Sequence, residues 1–438
     1  MSHPANLSSL KPNDSARQTT RDLPVLALLS LVVGVATGLV CGIFRKLLDA
    51  AEIWRTDFIS MMHAWQLAGM LCVVMFCAAA VAVAAWLVRR FAPYASGSGI
   101  PHVEAVLNGE LPPAPTQLLF VKFFGGLLAL GAGLALGREG PSVQIGANLS
   151  HLIGRTFRRN SQDCLLLLAA GAGAGLAVAF NAPIAGAAFV LEELTRRFDT
   201  RTTIVTFGAS AGAIAVARLI FGSTPDFQVS PLPYAGFGCL ILGLILGVMA
   251  GLLGVAYNRT ILGALALADR LKRWPTVARA ATVGAAVGLL GWFAPNLIGS
   301  GDVITQEVLA GTLGGTALAA TFLVRFALGP VSYAVRTPGG LFAPMLVLGS
   351  QCGLIFGNVG HYLFPGIVGD PLAYAVIGTA AFFAAVVRAP LTGIILVIEL
   401  TGSYTQLLPM LAACFAAMLV PTLFNNPPIY DSLKMKSP

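Results

Sequence analysis

Apolar runs of about 20 residues recur along this chain of 438, and almost no charge interrupts them. A helix needs about 20 consecutive apolar residues to cross the hydrocarbon core of a bilayer. Runs that meet or approach this length lie at about 23–44, 67–88, 117–136, 163–180, 203–221, 234–257, 279–294, 309–329, 372–387 and 405–424, and the Gly-rich pieces between them, such as the one after 340–344, read as too brief to cross alone. Charged residues make up 11% of the chain, less than half the ~25% of a soluble domain. Low hydrophobicity and high charge, the signature of disorder, are excluded outside the ends. A soluble globule of this length would divide into about three domains joined by polar linkers, and none is visible. The chain reads as a multi-pass integral membrane protein embedded in a lipid bilayer. Its 49 glycines and 26 prolines predict broken or re-entrant segments lining a protected cavity, where membrane proteins tolerate irregular backbone.

The net charge of +8 is not a nucleic-acid footprint, because the Lys and Arg residues stand in short clusters between apolar runs. Arg155, Arg158 and Arg159, and then Arg196, Arg197 and Arg201, are examples. Such clusters read as interfacial anchors and cytoplasmic loops. Residues 1–22 are polar and read as a disordered cytoplasmic tail, with no signal-peptide pattern. Residues 23–425 form the membrane region, and 426–438 a short C-terminal tail that carries Tyr430. Cys41, Cys72, Cys77, Cys164, Cys239, Cys352 and Cys414 lie in or beside apolar stretches without a C-x-x-C pair, so buried free thiols are expected. Five scattered histidines without H-E-x-x-H give no support for a metal site, and no cofactor is implied.

An internal repeat organises the membrane region. Residues 179–193 read AFNAPIAGAAFVLEE and residues 386–400 read VVRAPLTGIILVIEL, so that Ala182-Pro183, Gly186 and Glu192 recur 207 residues later as Ala389-Pro390, Gly393 and Glu399. Gly97-Ser98-Gly99 recurs as Gly299-Ser300-Gly301 at an offset of 202, and GREGP (137–141) aligns with GLFAP (340–344) at 203. Two halves, about 23–221 and 234–425, follow. Duplicated bundles interrupted by Gly and Pro at equivalent positions point to a transport site between the halves. The repeat itself does not tell parallel from inverted halves.

Three glycine-proline turns carry the chemistry. Gly137-Arg138-Glu139-Gly140-Pro141 precedes a helical stretch, and a proline suits the first turn of a helix, whose leading N–H groups lack intrahelical partners. Free donors and the positive end of the helix dipole attract an anion. The Glu139 carboxylate can occupy that anion's place. A plain N-cap, or an ion pair with Arg138, would look the same in sequence, but an ionisable group in so apolar a context is a functional candidate. Gly97-Ser98-Gly99-Ile100-Pro101 and Gly340-Leu341-Phe342-Ala343-Pro344 are built alike, with glycines that let the chain turn sharply. Taken together, the three turns describe a cage of donors.

On these residues the sequence resembles the CLC family of chloride channels and chloride/proton antiporters. The family's filter motifs GSGIP, GREGP and G[IL]FAP stand at 97–101, 137–141 and 340–344, with VKFFGG at 121–126 and AFNAP at 179–183. The resemblance implies an all-α homodimer of the CLC fold, with many tilted and broken helices, each subunit holding two inverted repeats and its own anion path. It implies chloride held by the Ser98 hydroxyl, the amides of Leu341 and Phe342, and the Tyr430 hydroxyl. It implies Glu139 as external gate and proton carrier, and Glu193 as internal proton-transfer acid. Chloride and protons would be the substrates, and secondary active antiport the activity, with no enzymatic reaction. A passive chloride channel of the same fold is the alternative. Family channels commonly lack an acid at the position of Glu193. Glu192 has its echo at Glu399 and reads as structural, whereas Glu193 faces Leu400. The short tails leave no room for regulatory CBS domains, which points to the prokaryotic type in a bacterial inner membrane.

His102 departs from the family pattern, standing where some antiporters carry an acid. Glu104 and Lys122 are expected to pair. Gly208-Ala209-Ser210-Ala211-Gly212 fits the G-x-S-x-G elbow of serine hydrolases, but that elbow needs a strand-turn-helix context and a histidine partner. Small residues four apart more often pack helices closely.

Overall fold

The protein is represented by a computed structural model that describes residues 12–233, 237–271, 273–366 and 368–435. The first half contains α1 (Pro12–Met62), α2 (Gln66–Phe91), α3 (Ile100–Leu107), α4 (Gln117–Gly131), α5 (Glu139–Thr156), α6 (Ser161–Phe180), α7 (Pro183–Phe189) and α8 (Thr200–Phe221). The second contains α9 (Phe237–Arg270), α10 (Thr276–Phe293), α11 (Asp302–Leu309), α12 (Gly315–Ala334), α13 (Phe342–Leu363), α14 (Pro371–Val387), α15 (Pro390–Thr401) and α16 (Leu407–Leu423). A short helix, α17 (Ile429–Lys434), follows. No strand forms among the described residues, and seven helices or helix runs are long and apolar enough to cross a membrane.

The halves repeat each other element for element. The pairs α5–α6 and α1–α8 in the first half correspond to α13–α14 and α9–α16 in the second. Across the join, α2 packs on α10 and α7 on α15, each against its own counterpart. The amides of Ile184 and Ala185, at the start of α7, donate to Glu399 near the end of α15, at 3.1 and 2.8 Å. The amides of Leu391 and Thr392, at the start of α15, donate to Glu192 just beyond α7, at 3.0 and 2.7 Å. The start of each helix therefore lies at the end of the other. Equivalent helices that run antiparallel make the halves inverted, and Glu192 has the structural role its echo suggested.

Close backbone approach holds the layers together. Gly34 and Gly38 of α1 face Ala209 and Ala213 of α8, and a Cβ on Gly212 would stand 2.6 Å from the Leu31 carbonyl. The G-x-S-x-G sequence is thus a packing stripe, with Ser210 buried inside a helix. Without a hydrophobic force between helices in lipid, such van der Waals contact drives their association.

Three expectations need correction. Helix α1 begins at Pro12, so helix extends into the polar segment read as a tail; proline fits a helix's first turn, and residues 1–11 lie outside the description. The Gly-rich stretch after GLFAP is not too brief to cross: α13 has 22 residues, or about 33 Å at 1.5 Å per residue. Its Ser350 and Gln351 are fully buried in protein, so it needs no lipid-facing apolarity. Of the cysteines, Cys72 is exposed on α2 and Cys239 half-buried, while the other five are buried; none of the seven is paired.

The packing generates a test. A Cβ on Gly353 of α13 would stand 1.9 Å from the Tyr374 carbonyl, while one on Gly263 of α9 would meet nothing within 4 Å. Gly353→Ala should lower stability by about 1–3 kcal/mol through overpacking. Gly263→Ala should leave stability unchanged or raise it by up to about 1 kcal/mol, both read from unfolding curves in detergent.

Candidate functional site

The three glycine turns meet at the middle of the molecule and are stitched by backbone hydrogen bonds. Gly137 and Gly340 exchange N–H···O bonds of 2.9 and 2.7 Å. The Gly97 amide donates to the Thr337 carbonyl, and the Gly339 amide to the Gly97 carbonyl, each at 3.0 Å. Gly97 and Gly99 have φ of +63° and +84°, in the left-handed region that favours glycine. These bonds fix the starts of α3, α5 and α13 against one another.

Two buried cations brace this arrangement, and sequence reasoning missed their role. Lys122 Nζ donates to the carbonyls of Ala95 and Gly97, at 3.1 and 2.7 Å. At the equivalent place in the second half, Arg325 donates to Leu297, Gly299 and Ser300, at 3.2, 2.7 and 2.6 Å. Lys122 therefore does not pair with Glu104, as expected from sequence; the glycine turn exposes carbonyls that need a donor more closely at hand. The 203-residue offset between Lys122 and Arg325 was the available signal.

Glu139 is completely buried at the start of α5. One carboxylate oxygen accepts the Ala343 amide of α13 at 3.1 Å, and the Phe342 amide is a further neighbour. The acid of one helix start thus caps the other, as a bound anion would. Glu139 reaches the amides of Phe342 and Ala343, and Leu341 is the N-cap of the same helix end. Arg138 does not pair with Glu139. Its guanidinium turns to Asp49 at 2.8 Å and the Ala179 carbonyl at 3.1 Å, with Asp226 and Asp302 within 4 Å.

Ser98 and Tyr430 converge on the same region. Ser98 is fully buried, and its hydroxyl stands 2.7 Å from where a Cβ on Gly140 would lie. Tyr430 is fully buried on α17, its ring stacked on Phe342 with centroids 6.1 Å apart. Neither hydroxyl has a hydrogen-bond partner among the described residues. Ile100, Pro101, Gly140, Pro141 and Pro344 complete the walls as the first turns of α3, α5 and α13. A cavity of about 400 Å³ reaches this region along Gly97, Gly99, Tyr333 and His102, with Asp269 and Arg336 at its lining. His102 is buried there against the Tyr94 ring, 4.9 Å between centroids.

Glu193 lies apart from this cage, in a π-helical turn Val190–Leu194 that follows α7. Such turns re-aim side chains and are frequent at functional sites. Here neighbouring acids point differently: Glu192 caps α15, while Glu193 is buried and one of its oxygens has no hydrogen-bond partner among the described residues. Arg196 lies 4.0 Å from Glu193 and bonds Asp431 of α17 at 3.1 Å. A cavity of about 400 Å³ lined by Glu193, Arg196, Arg388 and Asp431 opens beside it. Glu104 of α3, also buried, has Glu193, Asp431 and Arg196 as charged neighbours.

Comparison with known proteins agrees with this geometry. The family profile described as "Voltage gated chloride channel" matches residues 80–422. The chain belongs to the voltage-gated chloride channel family. It is 36% identical over 434 residues to a protein named H(+)/Cl(-) exchange transporter ClcA from Salmonella arizonae, covering 95% of this chain and 90% of that one. A solved structure described as a slow cyanobacterial Cl-/H+ antiporter superposes with a TM-score of 0.90 at 33% identity, covering 94% of this chain and 97% of the other. A CLC-type fluoride/proton antiporter shares the fold, with a TM-score of 0.78 at 21% identity, covering 93% of this chain and 97% of that one.

Within this CLC fold the clamp residues have a measurable weight. Arg325→Met would leave three buried carbonyls without their donor, each costing about 1–3 kcal/mol. Thermal unfolding in detergent should show a loss of several kcal/mol or failure to fold. Arg325→Lys, which keeps charge but not the planar fork, should fall between Met and wild type.

Proposed function

We propose that this protein is a secondary active chloride/proton antiporter of multi-pass membrane type. The observation that carries the reading is Glu139 on the amide of Ala343: an acid at one helix start occupies the donor site of the opposed helix start. A carboxylate and a chloride compete for the same amides, and protonation removes the carboxylate's claim. Ser98, Tyr430 and the amides at Leu341, Phe342 and Ala343 would then hold the chloride. Glu193 would pass protons to the side marked by Arg196, Arg197 and Arg201, because a proton does not readily follow an anion through a path of amides, and membrane proton routes are built from carboxylates. The relatives' printed activities and the presence of an acid at Glu193 favour exchange over the channel alternative. A homodimer in a bacterial inner membrane remains part of the proposal.

Liposomes carrying the protein test it with chloride and pH electrodes. A chloride gradient should drive protons uphill. Glu139→Gln should abolish proton movement and make chloride flux insensitive to pH. Glu193→Gln should abolish proton movement while chloride flux survives. A wild type that moves no protons would be a channel. Ser98→Ala and Tyr430→Phe each remove a hydrogen bond to a charged ligand worth about 1.5–3 kcal/mol. Calorimetry should therefore show chloride affinity falling by tenfold or more.

The Arg196–Asp431 pair yields a prediction with two opposite arms. Asp431→Asn frees Arg196 to close on Glu193 and favour its carboxylate, so proton-coupled flux should shift to lower pH. Arg196→Gln removes the cation and should shift it to higher pH. Each displacement is about one pH unit, which corresponds to about 1.4 kcal/mol. A structural role alone would not give opposite signs.

A further inference from the structure

A second cavity, of about 700 Å³, lies between the loop joining α3 to α4 and the hairpin joining α5 to α6. Asn148, His151, Arg155, Arg159 and Ser161 line its polar side. Arg159 and Arg201 both bond the buried Asp163, so one acid serves two cations. Arg155 has no carboxylate within 4 Å among the described residues, and the buried Asn148 amide nitrogen has no hydrogen-bond partner among them. The polar wall therefore carries an excess of positive charge and an unused donor, and it suits an anion.

Leu119, Leu152 and Leu165 give the cavity an apolar wall as well, and Phe120 and Phe124, on the same helix α4 as Leu119, are exposed at 59% and 54%. In a chain of this composition such exposed rings face lipid. A free inorganic anion gains nothing from that wall, whereas a lipid acyl chain does. The end of the molecule that carries Arg155, Arg158, Arg159, Arg196, Arg197 and Arg201 is cytoplasmic by the positive-inside rule, and basic pockets between helices on that side suit anionic headgroups.

We propose that this cavity binds the headgroup of an anionic glycerophospholipid of the cytoplasmic leaflet. Arg155 is the principal phosphate ligand, assisted by His151 and Asn148, and an acyl chain lies along Leu152 and Leu119. A narrow crevice that shares Asn148, Val106 and Ala114 with this cavity is bordered by His102 of α3. The bound headgroup would therefore stand behind the helix whose first turn follows Ser98.

Native mass spectrometry of the purified full chain in mild detergent tests this, with phosphatidylglycerol and phosphatidylcholine as probes. Wild type should retain phosphatidylglycerol in preference to phosphatidylcholine. Arg155→Gln should reduce the retained phosphatidylglycerol about fivefold. Arg158→Gln, a neighbouring cation that does not line the cavity, should retain it as wild type does. Excess inorganic phosphate should not displace the lipid. The proposal falls if wild type shows no preference, if Arg155→Gln binds as well as wild type, or if Arg158→Gln loses as much. Displacement by inorganic phosphate would also overturn it, in favour of a soluble-anion site. Chloride flux of Arg155→Gln in phosphatidylcholine liposomes should match wild type, which separates lost lipid binding from a failure to fold.

Discussion

Two helix starts, those of α5 and α13, face each other inside a protein that offers them little water, and the rest of the structure depends on satisfying them. Each carries N–H groups with no partner in its own helix, and an unsatisfied polar group in an apolar interior costs several kcal/mol. The reciprocal bonds between Gly137 and Gly340 hold the two starts in register. Lys122 and Arg325 then fix the glycine turns behind them by taking up their carbonyls. The donors that remain need an acceptor, and a negative one is favoured at a helix start. Glu139 meets the Ala343 amide in this conformation, and an anion is the natural alternative.

The inverted repeat separates scaffold from chemistry. Where both halves keep the same device, it is structural: Lys122 matches Arg325, and Glu192 matches Glu399, each pair doing one job twice. Where the halves differ, function concentrates. Glu139 lies opposite Phe342, and Glu193 opposite Leu400. On the proposed function, these unmatched acids are the gate and the internal proton-transfer group.

Much of this was legible in the sequence, because the determinants are local. Gly-Pro turns, apolar runs and the offsets of about 203–207 residues announce broken helices and a duplicated bundle. Inversion was not legible from the residues, since it depends on α7 and α15 meeting end to start. The destination of Lys122 was missed because a lysine near an acid suggests an ion pair, while the true acceptors are carbonyls made available by positive-φ glycines. Helix α13 was missed as a span because hydropathy counts its Ser, Gln and Asn as if lipid surrounded them. Which amide Glu139 meets was not legible either, because the first free amides of a helix depend on which residue caps it, and sequence places that boundary only to within a residue or so.

The six-residue helix α17 touches both the cage and the surroundings of Glu193. Tyr430 packs on Phe342 at the start of α13, and the next residue, Asp431, holds Arg196 beside Glu193. Successive side chains on a helix point about 100° apart, so α17 can face the anion cage and the internal acid at once. On the proposed function, a change at Glu193 that recruits Arg196 would draw on Asp431, one residue from the tyrosine. Lys434, at the end of the same helix, bonds Glu110 of the α3–α4 loop at 2.5 Å. Coupling of this kind needs no large motion. It needs a short rigid element with one face at each site, and α17 has that form.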